Sequence, residues 1–576
     1  MNSSEIKTFR FDKTGLEEVR LLPNGTDWPV VYLISNAKDV YIGETSSAGN
    51  RMTQHLDNPE RKSLKEIHIL FDDEFNKSAI LDIEQSLIQL VSADNKLNLL
   101  NRNGGQSQKH NYFQREKYQA KIGSIWQKLP QMQLASKNYD DILNSDLFKF
   151  SPYNSLTEEQ SVACYSALDD AIDKLRLGVK SSFILHGSAG TGKSVVLVNI
   201  MNRLINATAI EMDETDDEEE LSPYLRIRRK IAEYVKEKGS LKVALVMPME
   251  SIRKTLKAVF RQTGHGLKAN MVIGPSDVAD HEYDILLVDE AHRLSQYKNI
   301  SWMGSYKKTT ETIFGEGADP QEYTSLDWIL NRCKYSILVY DSAQTVKGSD
   351  ISADQYLKAF CREQVSANNH WLVSQMRCKG GQEYIDYLSR IFNCEKGLDR
   401  KEIVNYDFKI FDHIHEMIQA IKHKDKEMGL CRSVAGYSWE WVSKGCRSLD
   451  EVKRKGLEDI TIEGYKYIWN MSNTEWILRP SSIDEIGCIH TTQGYDLNYV
   501  GVIFGEEIDY DNEKNQIIID SSKHHDFNVQ RGASAEELKN YLINSYKVMM
   551  SRGIKGCYVY ACNPSLREYL SRFIPR

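Results

Sequence analysis

Three features that would mark other classes of protein are missing from this sequence of 576 residues. Its ten cysteines include no C-x-x-C pair, and no paired ligand set of the zinc-finger kind is present. No run approaches the ~18 apolar residues of a membrane span, and the N-terminus has no apolar signal region. The formal net charge of -8 excludes a uniformly basic, histone-like binder, so any nucleic-acid surface must be local. We therefore expect a cytoplasmic protein with reduced thiols and, by its length, about four domains.

A glycine-rich loop between two apolar runs is the most informative stretch of the chain. The pattern G-x-x-x-x-G-K-[ST] runs from Gly187 through Gly192 and Lys193 to Ser194, with Gly190 inside the loop. The apolar run before it predicts a buried strand, and the run after it predicts a helix whose free N–H groups and positive dipole end face a phosphate. The lysine would reach the β- and γ-phosphates, and the serine hydroxyl would hold Mg²⁺. The pattern predicts that the chain binds ATP with Mg²⁺.

Polar residues at the ends of further apolar runs fit the same site. The strand predicted at 285–288 is followed by Asp289 and Glu290, where a metal ion and an attacking water must be held. Asp289 is predicted to be the metal-side carboxylate, and Glu290 to orient and deprotonate the water. Gln344 follows the next apolar strand and is expected to sense the γ-phosphate. Gln160, upstream, offers an amide that could read the edge of adenine.

Together these motifs resemble the motor of superfamily 1 helicases, specifically the group allied to the helicase-like part of Schlafen proteins. The resemblance covers about residues 151–576 and implies two RecA-like lobes with parallel sheets, at 151–350 and 351–576. The second lobe has no glycine-rich loop of its own. By the resemblance it would supply Arg377 and Arg552 to stabilise charge at the γ-phosphate. Closing and opening of the two lobes would then alternate their grip on a nucleic-acid strand.

The nucleic-acid strand is expected to contact residues 248–251, Thr491 and Thr492. Tryptophans could add stacking surfaces, although burial in a core is the commoner role of this residue. The candidates are Trp439, Trp441, Trp469 and Trp476.

Ahead of the motor, short apolar runs predict a separate small module. The runs at 29–35 and 40–45 are split by a turn-like Asn-Ala-Lys-Asp and predict a hairpin. A helix is predicted at 49–56, a third strand at 66–71, and a further helix at 78–91.

Residues 28–105 carry a series of aromatic and polar residues in a fixed order. They are, in chain order, Val30-Val31-Tyr32, Tyr41-Ile42-Gly43, Arg51 and His55 at an R-x-x-x-H spacing, Glu84 and Asn101. This series resembles the GIY-YIG nuclease family, with the first two triplets as its first and second motifs. The resemblance implies that Glu84 holds Mg²⁺ or Mn²⁺, that Arg51 contacts the scissile phosphate, and that Tyr32, Tyr41 and His55 position or activate the nucleophile.

Two positions of the nuclease resemblance stay open. Asn101 would support the site, with Asn98 as the rival for that place. The glycine and isoleucine of the first motif are both valine here, and the extra bulk could reshape the substrate cleft. A three-stranded α/β module whose hairpin tyrosines are only half-buried aromatics is therefore the alternative.

The predicted fold class is α/β: a small GIY-YIG nuclease module at 1–105, a helical linker at 106–150, and the two RecA-like lobes. The linker mixes basic and aromatic residues that could grip a strand, but an amphipathic helix that packs between domains is the favoured interpretation.

The leading functional interpretation is an ATP-dependent helicase or translocase fused to a metal-dependent endonuclease. DNA is favoured over RNA as its partner, and the resemblance suggests a role against foreign DNA in bacterial defence. A homo-oligomer or a defence-system partner protein is left open. One alternative is an ATP-gated nucleic-acid clamp or switch whose nuclease-like module does not cut; the least favoured is a signalling ATPase that binds no nucleic acid.

Overall fold

The computed structural model describes residues 4–101, 112–187, 190–208, 223–300, 302–341, 344, 346–373, 378–472, 476–492 and 495–576. These residues form two compact units. The first comprises the described residues of 1–172, 194–241 and 255–271, and the second those of 173–193, 242–254 and 272–576. The domain boundaries expected at 105, 150 and 350 do not coincide with this division and stay predictions.

The N-terminal part of the first unit is a sheet with helices on both faces. Its elements are β1 (Glu5–Arg10), α1 (Lys13–Arg20), β2 (Val30–Ser35), β3 (Asp39–Thr45), α2 (Ala48–Asp57), β4 (Glu66–Phe71), α3 (Lys77–Asp94), β5 (Asn98–Leu99), α4 (Arg115–Trp126), α5 (Tyr139–Leu143) and α6 (Asp146–Lys149). The strand order is β1-β4-β2-β3-β5, antiparallel except between β3 and β5. The predicted hairpin, third strand and two helices are confirmed, whereas β1, α1 and β5 were not predicted.

The hairpin turn is fixed by a single asparagine. The side-chain oxygen of Asn36 accepts hydrogen bonds from the backbone N–H groups of Lys38 and Asp39, both at 2.7 Å. An asparagine that bonds to the backbone two residues further on closes such a turn without a glycine. The turn therefore sets the register in which Tyr32 lies opposite Gly43.

Alternate side chains of β2 enter two different cores, because successive side chains of a strand point to opposite faces. Tyr32 and Ile34 pack in the cluster that includes residues of α1 and α2. Val31 and Leu33 pack in the cluster formed with α3. The sheet thus separates the helix that carries Arg51 and His55 from the helix that carries Glu84.

The described part of the expected linker completes the core of this module. Tyr118 and Trp126 of α4 are buried in the same cluster as α3. Lys121 Nζ lies 2.8 Å from Asp72 Oδ2, a carboxyl group just after β4. The favoured interpretation, an amphipathic packing helix, agrees with this arrangement, but the helix packs onto α3 instead of standing apart as a linker.

The chain continues into a six-stranded sheet. The elements here are α7 (Glu158–Leu177), β6 (Ser181–Gly187), α8 (Lys193–Asn206), α9 (Pro223–Lys238), β7 (Val243–Val246), α10 (Glu250–Thr263), β8 (Val272–Ile273), β9 (Tyr283–Val288), α11 (Met303–Phe314), α12 (Ser325–Asn331), β10 (Cys333–Tyr340), α13 (Ala353–Arg362) and β11 (Ser366–Leu372). All pairings in the order β11-β6-β10-β9-β7-β8 are parallel. The carboxyl ends of β6, β9 and β10 therefore meet at one edge, where ligands bind in open α/β sheets.

A seven-stranded sheet follows in the second unit. Its elements are α14 (Gly381–Phe392), β12 (Asp407–Ile410), α15 (Ile414–Met428), β13 (Cys431–Ala435), α16 (Leu449–Lys455), β14 (Ile460–Ile462), β15 (Tyr465–Trp469), β16 (Glu485–Gly487), α17 (Ile489–Thr492), β17 (Leu497–Phe504), β18 (Ile508–Asp511), β19 (Gln516–Ile519), α18 (Phe527–Gln530), α19 (Ala535–Met550), β20 (Gly553–Ala561) and α20 (Pro564–Ser571). The order β12-β20-β17-β13-β16-β15-β14 is parallel except between β14 and β15, and β18 and β19 form a separate hairpin. The predicted pair of parallel α/β sheets is confirmed.

None of the ten cysteines forms a disulfide bond, and all ten lie among the described residues. Among the described helices, none is long and apolar enough to span a bilayer.

Candidate nucleotide and nucleic-acid sites

The glycine-rich loop follows β6. The side chain of Lys193, the lysine of the pattern, turns back toward the end of that strand. Gly190 and Gly192 have φ values of +90° and +80°, a conformation that favours glycine. Lys193 is only 6% exposed, and its Nζ donates to the carbonyl oxygen of Gly187 at 2.6 Å. The same Nζ lies 3.9 Å from Asp341 Oδ2 at the end of β10. These contacts hold the Lys193 ammonium beside the glycine-rich loop, between the Gly187 carbonyl group and the Asp341 carboxylate.

The predicted acidic pair lies at the end of β9. Asp289 is 3% exposed, and its Oδ1 accepts the backbone N–H of Glu290 at 3.0 Å. Glu290 has φ +51° and ψ +45°, a left-handed conformation that costs a non-glycine residue about 1 kcal/mol. Strain of this kind at a sheet edge is typical of functional residues.

The Glu290 carboxyl is held in its charged form. Burial raises the pKa of this carboxyl, whereas the His292 ring and the Lys193 ammonium lower it, and the net pKa lies below the usual range. His292 Nε2 lies 2.8 Å from Glu290 Oε2, and the His292 side chain is fully buried. A carboxylate that stays ionised can orient and deprotonate a water molecule near neutral pH.

Gln344 joins the same edge through Asp341. The Gln344 amide donates to Asp341 Oδ2 at 2.6 Å, and its side chain is 4% exposed. Asp341 therefore links this amide with Lys193. Asp341 was not among the predicted site residues, although its place directly after an apolar strand was a usable signal.

The remaining predicted nucleotide residues are placed less completely. Ser194 lies in the first turn of α8. Gln160 is buried, and its Oε1 accepts the backbone N–H of Thr157 at 3.0 Å, which caps α7. Arg552 follows α19 and is 1% exposed, while Arg377 lies outside the described residues. Their roles stay predictions.

A cleft of about 570 Å³ lies between the two parallel sheets of the second unit. Residues 248–251, which were expected to contact a strand, line it together with His490 from α17. Trp302 also lines the cleft and is 39% exposed. The cationic lining residues are Arg253, Arg293 and Lys347.

The two threonines that were expected to contact a nucleic-acid strand bond instead to the backbone. The hydroxyl groups of Thr491 and Thr492 both donate to the carbonyl oxygen of Cys488 at 3.0 Å, and both side chains are buried. Trp469 and Trp476 are each 1% exposed and belong to the interior, and Trp439 and Trp441 pack against the core of the same sheet. Trp302 is the aromatic residue of the cleft that sequence reasoning missed.

Most of the predicted nuclease residues converge on one face of the N-terminal sheet. Tyr32 Oη and His55 Nε2 are 2.6 Å apart, and both side chains are fully buried. The Arg51 Nε donates to Tyr32 Oη at 3.4 Å. The Tyr41 ring lies against His55, with ring centroids 5.2 Å apart. Arg61, which was not predicted, places its guanidinium 3.8 Å from the centre of the Tyr41 ring.

Asn101 holds the second motif in place. Its amide donates to the carbonyl oxygen of Ile42 at 2.8 Å and accepts the backbone N–H of Ile42 at 2.9 Å. The rival Asn98 is exposed and bonds to Asp39. Of the two candidates, Asn101 is the one that contacts the second motif, and its role in supporting the site stays a prediction.

Glu84 is the predicted metal ligand of this module. It lies on α3, whose apolar side chains pack on the face of the sheet opposite to Tyr32, and it is 9% exposed. No group of three or more His, Cys, Asp or Glu side chains in the described ranges is arranged to hold a metal ion. One carboxylate with water and a phosphate is still a donor set that Mg²⁺ accepts.

The comparisons with known proteins concern the second, larger part of the chain. Residues 180–563, about two thirds of the sequence, match the Schlafen group 3, DNA/RNA helicase domain. An uncharacterized protein of Saccharomyces cerevisiae is 28% identical over 428 residues, which is 68% of this chain and 84% of the yeast protein.

Solved helicases give weaker likenesses. The arterivirus nonstructural protein 10 helicase has 10% identity and a TM-score of 0.28 over 70% of this chain, which spans 64% of that protein's length. The Pif1 helicase from Bacteroides, in complex with ADP-AlF3 and single-stranded DNA, has 8% identity and a TM-score of 0.26 over 71% of this chain and 94% of that one. Because the family model matches most of the chain, the protein belongs to the Schlafen group 3 DNA/RNA helicase-domain family.

Proposed function

We propose that this chain is an ATP-dependent nucleic-acid motor, a helicase or translocase. The observation that carries the proposal is the convergence of a buried Lys193, Glu290 with its His292 partner and the Asp341–Gln344 pair at one edge of a parallel sheet. These groups supply a cation for phosphate oxygens, a base for water and a polar sensor, which are the parts that phosphoryl transfer to water requires.

The residues present fit a nucleotide with its magnesium ion. Lys193 would bind the β- and γ-phosphates, and Ser194 with Asp289 would hold Mg²⁺, which neutralises charge on the phosphates when it is bound. Glu290 orients the attacking water. Arg552 and Arg377 would stabilise charge at the γ-phosphate. The left-handed conformations of Gly190 and Gly192 fit this use, because glycine adopts them without the steric cost that other residues incur.

Two substitutions test the ATPase. Lys193→Ala should lower ATP turnover by at least ~100-fold and weaken nucleotide binding, because it removes the phosphate cation. Glu290→Gln should lower turnover by roughly 10²- to 10⁴-fold but retain ATP binding, since only the base is lost. Lys358→Ala and Glu316→Gln change exposed residues of the same types and serve as controls. Full turnover in Lys193→Ala would overturn the motor assignment.

The cleft between the parallel sheets is the proposed site for a single strand. It offers cations for phosphates, an exposed indole for base stacking and the loop at residues 248–251. ATPase rates measured with and without single-stranded DNA and RNA test this assignment. A rate that no nucleic acid changes would instead favour the signalling ATPase.

A second candidate function is metal-dependent cleavage of a phosphodiester by the N-terminal module. It is favoured by the Tyr32–His55 contact of 2.6 Å with Arg51 beside it. Glu84 lies on the helix of the opposite face of the sheet. Its role of holding Mg²⁺ or Mn²⁺, which polarises the phosphoryl oxygen when bound, therefore rests on the family resemblance. The alternative is a module that grips nucleic acid and does not cut, with the motor acting as an ATP-gated clamp.

Labelled DNA and RNA, incubated with Mg²⁺ or Mn²⁺ and with or without ATP, separate these two readings. Cleavage should appear in the wild type, disappear in Glu84→Gln and persist in the control Glu18→Gln, while all three proteins keep their ATPase. Binding without cleavage under every condition would favour the clamp. A role against foreign DNA is part of the proposal only through the family resemblance, and phage plating on bacteria that express the chain tests it.

A further inference from the structure

Arg61 lies at the centre of the nuclease-like cluster, yet neither motif of the sequence includes it. It ends a short 3-10 turn, Pro59–Arg61, whose first residues are held by the side chain of Asn58. Its side chain is buried, with only 8% of the residue exposed. Burying a guanidinium is costly unless nearby groups compensate it, so its position calls for a reason beyond surface charge.

Two of the contacts of the guanidinium bear on the nuclease-like cluster. It stacks over the Tyr41 ring at 3.8 Å, a cation–π geometry that compensates part of the cost of its burial. Its Nη1 lies 3.4 Å from His55 Nε2, the same nitrogen that is 2.6 Å from Tyr32 Oη. Tyr32 and Arg61 therefore approach His55 at one atom.

The chemistry of these groups determines where the protons lie. An arginine has only donors, so its contact with His55 favours an Nε2 that accepts. The ring proton then lies on Nδ1, which is buried and has no hydrogen-bond partner among the described residues. The Tyr32 hydroxyl then gives its hydrogen to Nε2. Arg51 Nε donates to the same hydroxyl oxygen at 3.4 Å, which agrees with this direction.

We propose that Arg61 is a positioning residue of the nuclease-like site, which keeps His55 neutral with Nε2 as the acceptor for Tyr32. This inference rests on the proposed nuclease function. With its hydrogen given to His55, the Tyr32 hydroxyl oxygen acts as an acceptor, as in its contact with Arg51 Nε. A protonated His55 could not accept that hydrogen, and the cation of Arg61 beside Nε2 opposes such protonation.

The direct test observes the histidine and does not depend on cleavage. The full chain is labelled with ¹⁵N-histidine, and long-range ¹H–¹⁵N spectra are recorded from pH 5 to 8, with the His55 signals identified by their loss in His55→Gln. In the wild type we expect a neutral ring with its proton on Nδ1 near pH 7. In Arg61→Ala the ring should become protonated at a higher pH or mix its two neutral forms.

Arg61→Lys and Lys62→Ala are the companion variants. Arg61→Lys keeps a cation and donor, so it should restore the wild-type tautomer at least in part. Lys62→Ala removes the same charge from the adjacent exposed position and should leave the spectrum unchanged. Retained ATPase activity in each variant shows that the chain is folded. A wild-type ring protonated on Nε2, or an Arg61→Ala spectrum identical to that of the wild type, would overturn the inference.

Cleavage rates separate this inference from the nuclease proposal. If the wild type cuts, Arg61→Ala should lower kcat by ~10-fold or more, leave KM for the nucleic acid unchanged, and shift the acidic limb of the pH profile upward. If the wild type does not cut while the histidine spectra respond to Arg61 as expected, the nuclease proposal fails and the positioning of His55 by Arg61 stands. If the wild type cuts and Arg61→Ala changes neither the cleavage rate nor the histidine spectra, the inference about Arg61 is wrong and the nuclease proposal stands.

Discussion

Tyr32 and Gly43 lie opposite each other in neighbouring strands, and no side chain fits between the tyrosine hydroxyl and position 43. A Cβ on Gly43 would lie 2.2 Å from Tyr32 Oη, closer than any real carbon–oxygen contact. The glycine of Tyr41-Ile42-Gly43 is thus required by the ring that crosses above it. Its presence supports the view that Tyr32 is held in one defined position.

Gly43→Ala should therefore act on Tyr32 as well as on stability. We expect a loss of about 1 to 3 kcal/mol of unfolding free energy, typical of overpacking, and a longer distance between Tyr32 Oη and His55 Nε2. Thermal unfolding and cleavage rates measure the two effects. Gly304→Ala is the control, because position 304 lies in α11 with no atom within 4 Å of its Cβ, so it should be neutral or slightly stabilising. Equal stability of both variants would contradict the argument.

At the scale of elements, local signals predicted the parts whose structure is local. The hairpin β2–β3, the strand β4, and the strand β6 and helix α8 that flank the glycine-rich pattern have their own turn residues or apolar runs, and the chain forms them where expected. The strand β1 alternates weakly and is half-exposed, so its place depends on pairing with β4, which no local pattern reveals. The cleft is a similar case, because Trp302 lines it only through tertiary packing.

His68 ties three strands of the N-terminal sheet together in its neutral form. Its Nδ1 bonds to Thr8 Oγ1 of β1 and its Nε2 to Ser35 Oγ of β2, both at 2.9 Å. Burial lowers the pKa of His68 to about 4. The unfolded chain binds a proton at its ordinary value near 6.5, so the folded state loses stability as pH falls from about 6.5 to 4.

The sheet should accordingly open more easily in mild acid. Between pH 7 and pH 5.5 we expect the free energy of opening of β1 and β4 to fall by about 1 kcal/mol from this group alone. Hydrogen exchange of the β1 and β4 amides, corrected for intrinsic rates, measures the change. His68→Gln removes the titrating group and should flatten the pH dependence. If the pH dependence of amide exchange is the same in His68→Gln as in the wild type, groups other than His68 cause it.

Trp302 should bind a single nucleic-acid strand by stacking on one of its bases. Stacking of one base on an aromatic ring is worth about 1 to 3 kcal/mol, so Trp302→Ala should weaken single-strand affinity by roughly 5- to 150-fold. The ATPase rate without nucleic acid should stay unchanged. Trp371→Ala removes a tryptophan that is 61% exposed but does not line the cleft, and it should bind like the wild type. Fluorescence anisotropy with a labelled oligonucleotide separates the two variants.

For the whole molecule, the net charge of -8 limits how nucleic acid can bind. A chain with this balance repels a polyanion over most of its surface, and attraction must come from a confined set of cations. In the cleft these are Arg253, Arg293 and Lys347. Arg293 Nη1 also lies 2.9 Å from Oδ2 of the buried Asp350, and this ion pair reduces the attraction of Arg293 for phosphate.

Binding of a single strand should therefore depend only moderately on salt. Each neutralised phosphate of a single strand contributes about -0.7 to the slope of log K against log salt, so three cations give a slope no steeper than about -2. Lys347→Ala should make the slope shallower by about 0.7 without changing base preference, because it removes one phosphate contact. Lys358→Ala, an exposed lysine outside the cleft, should leave the slope unchanged. Affinities measured from 50 to 300 mM salt decide the matter. A slope near -6 would mean that the strand follows a long basic path elsewhere on the protein, and the cleft would then no longer suffice as the binding site.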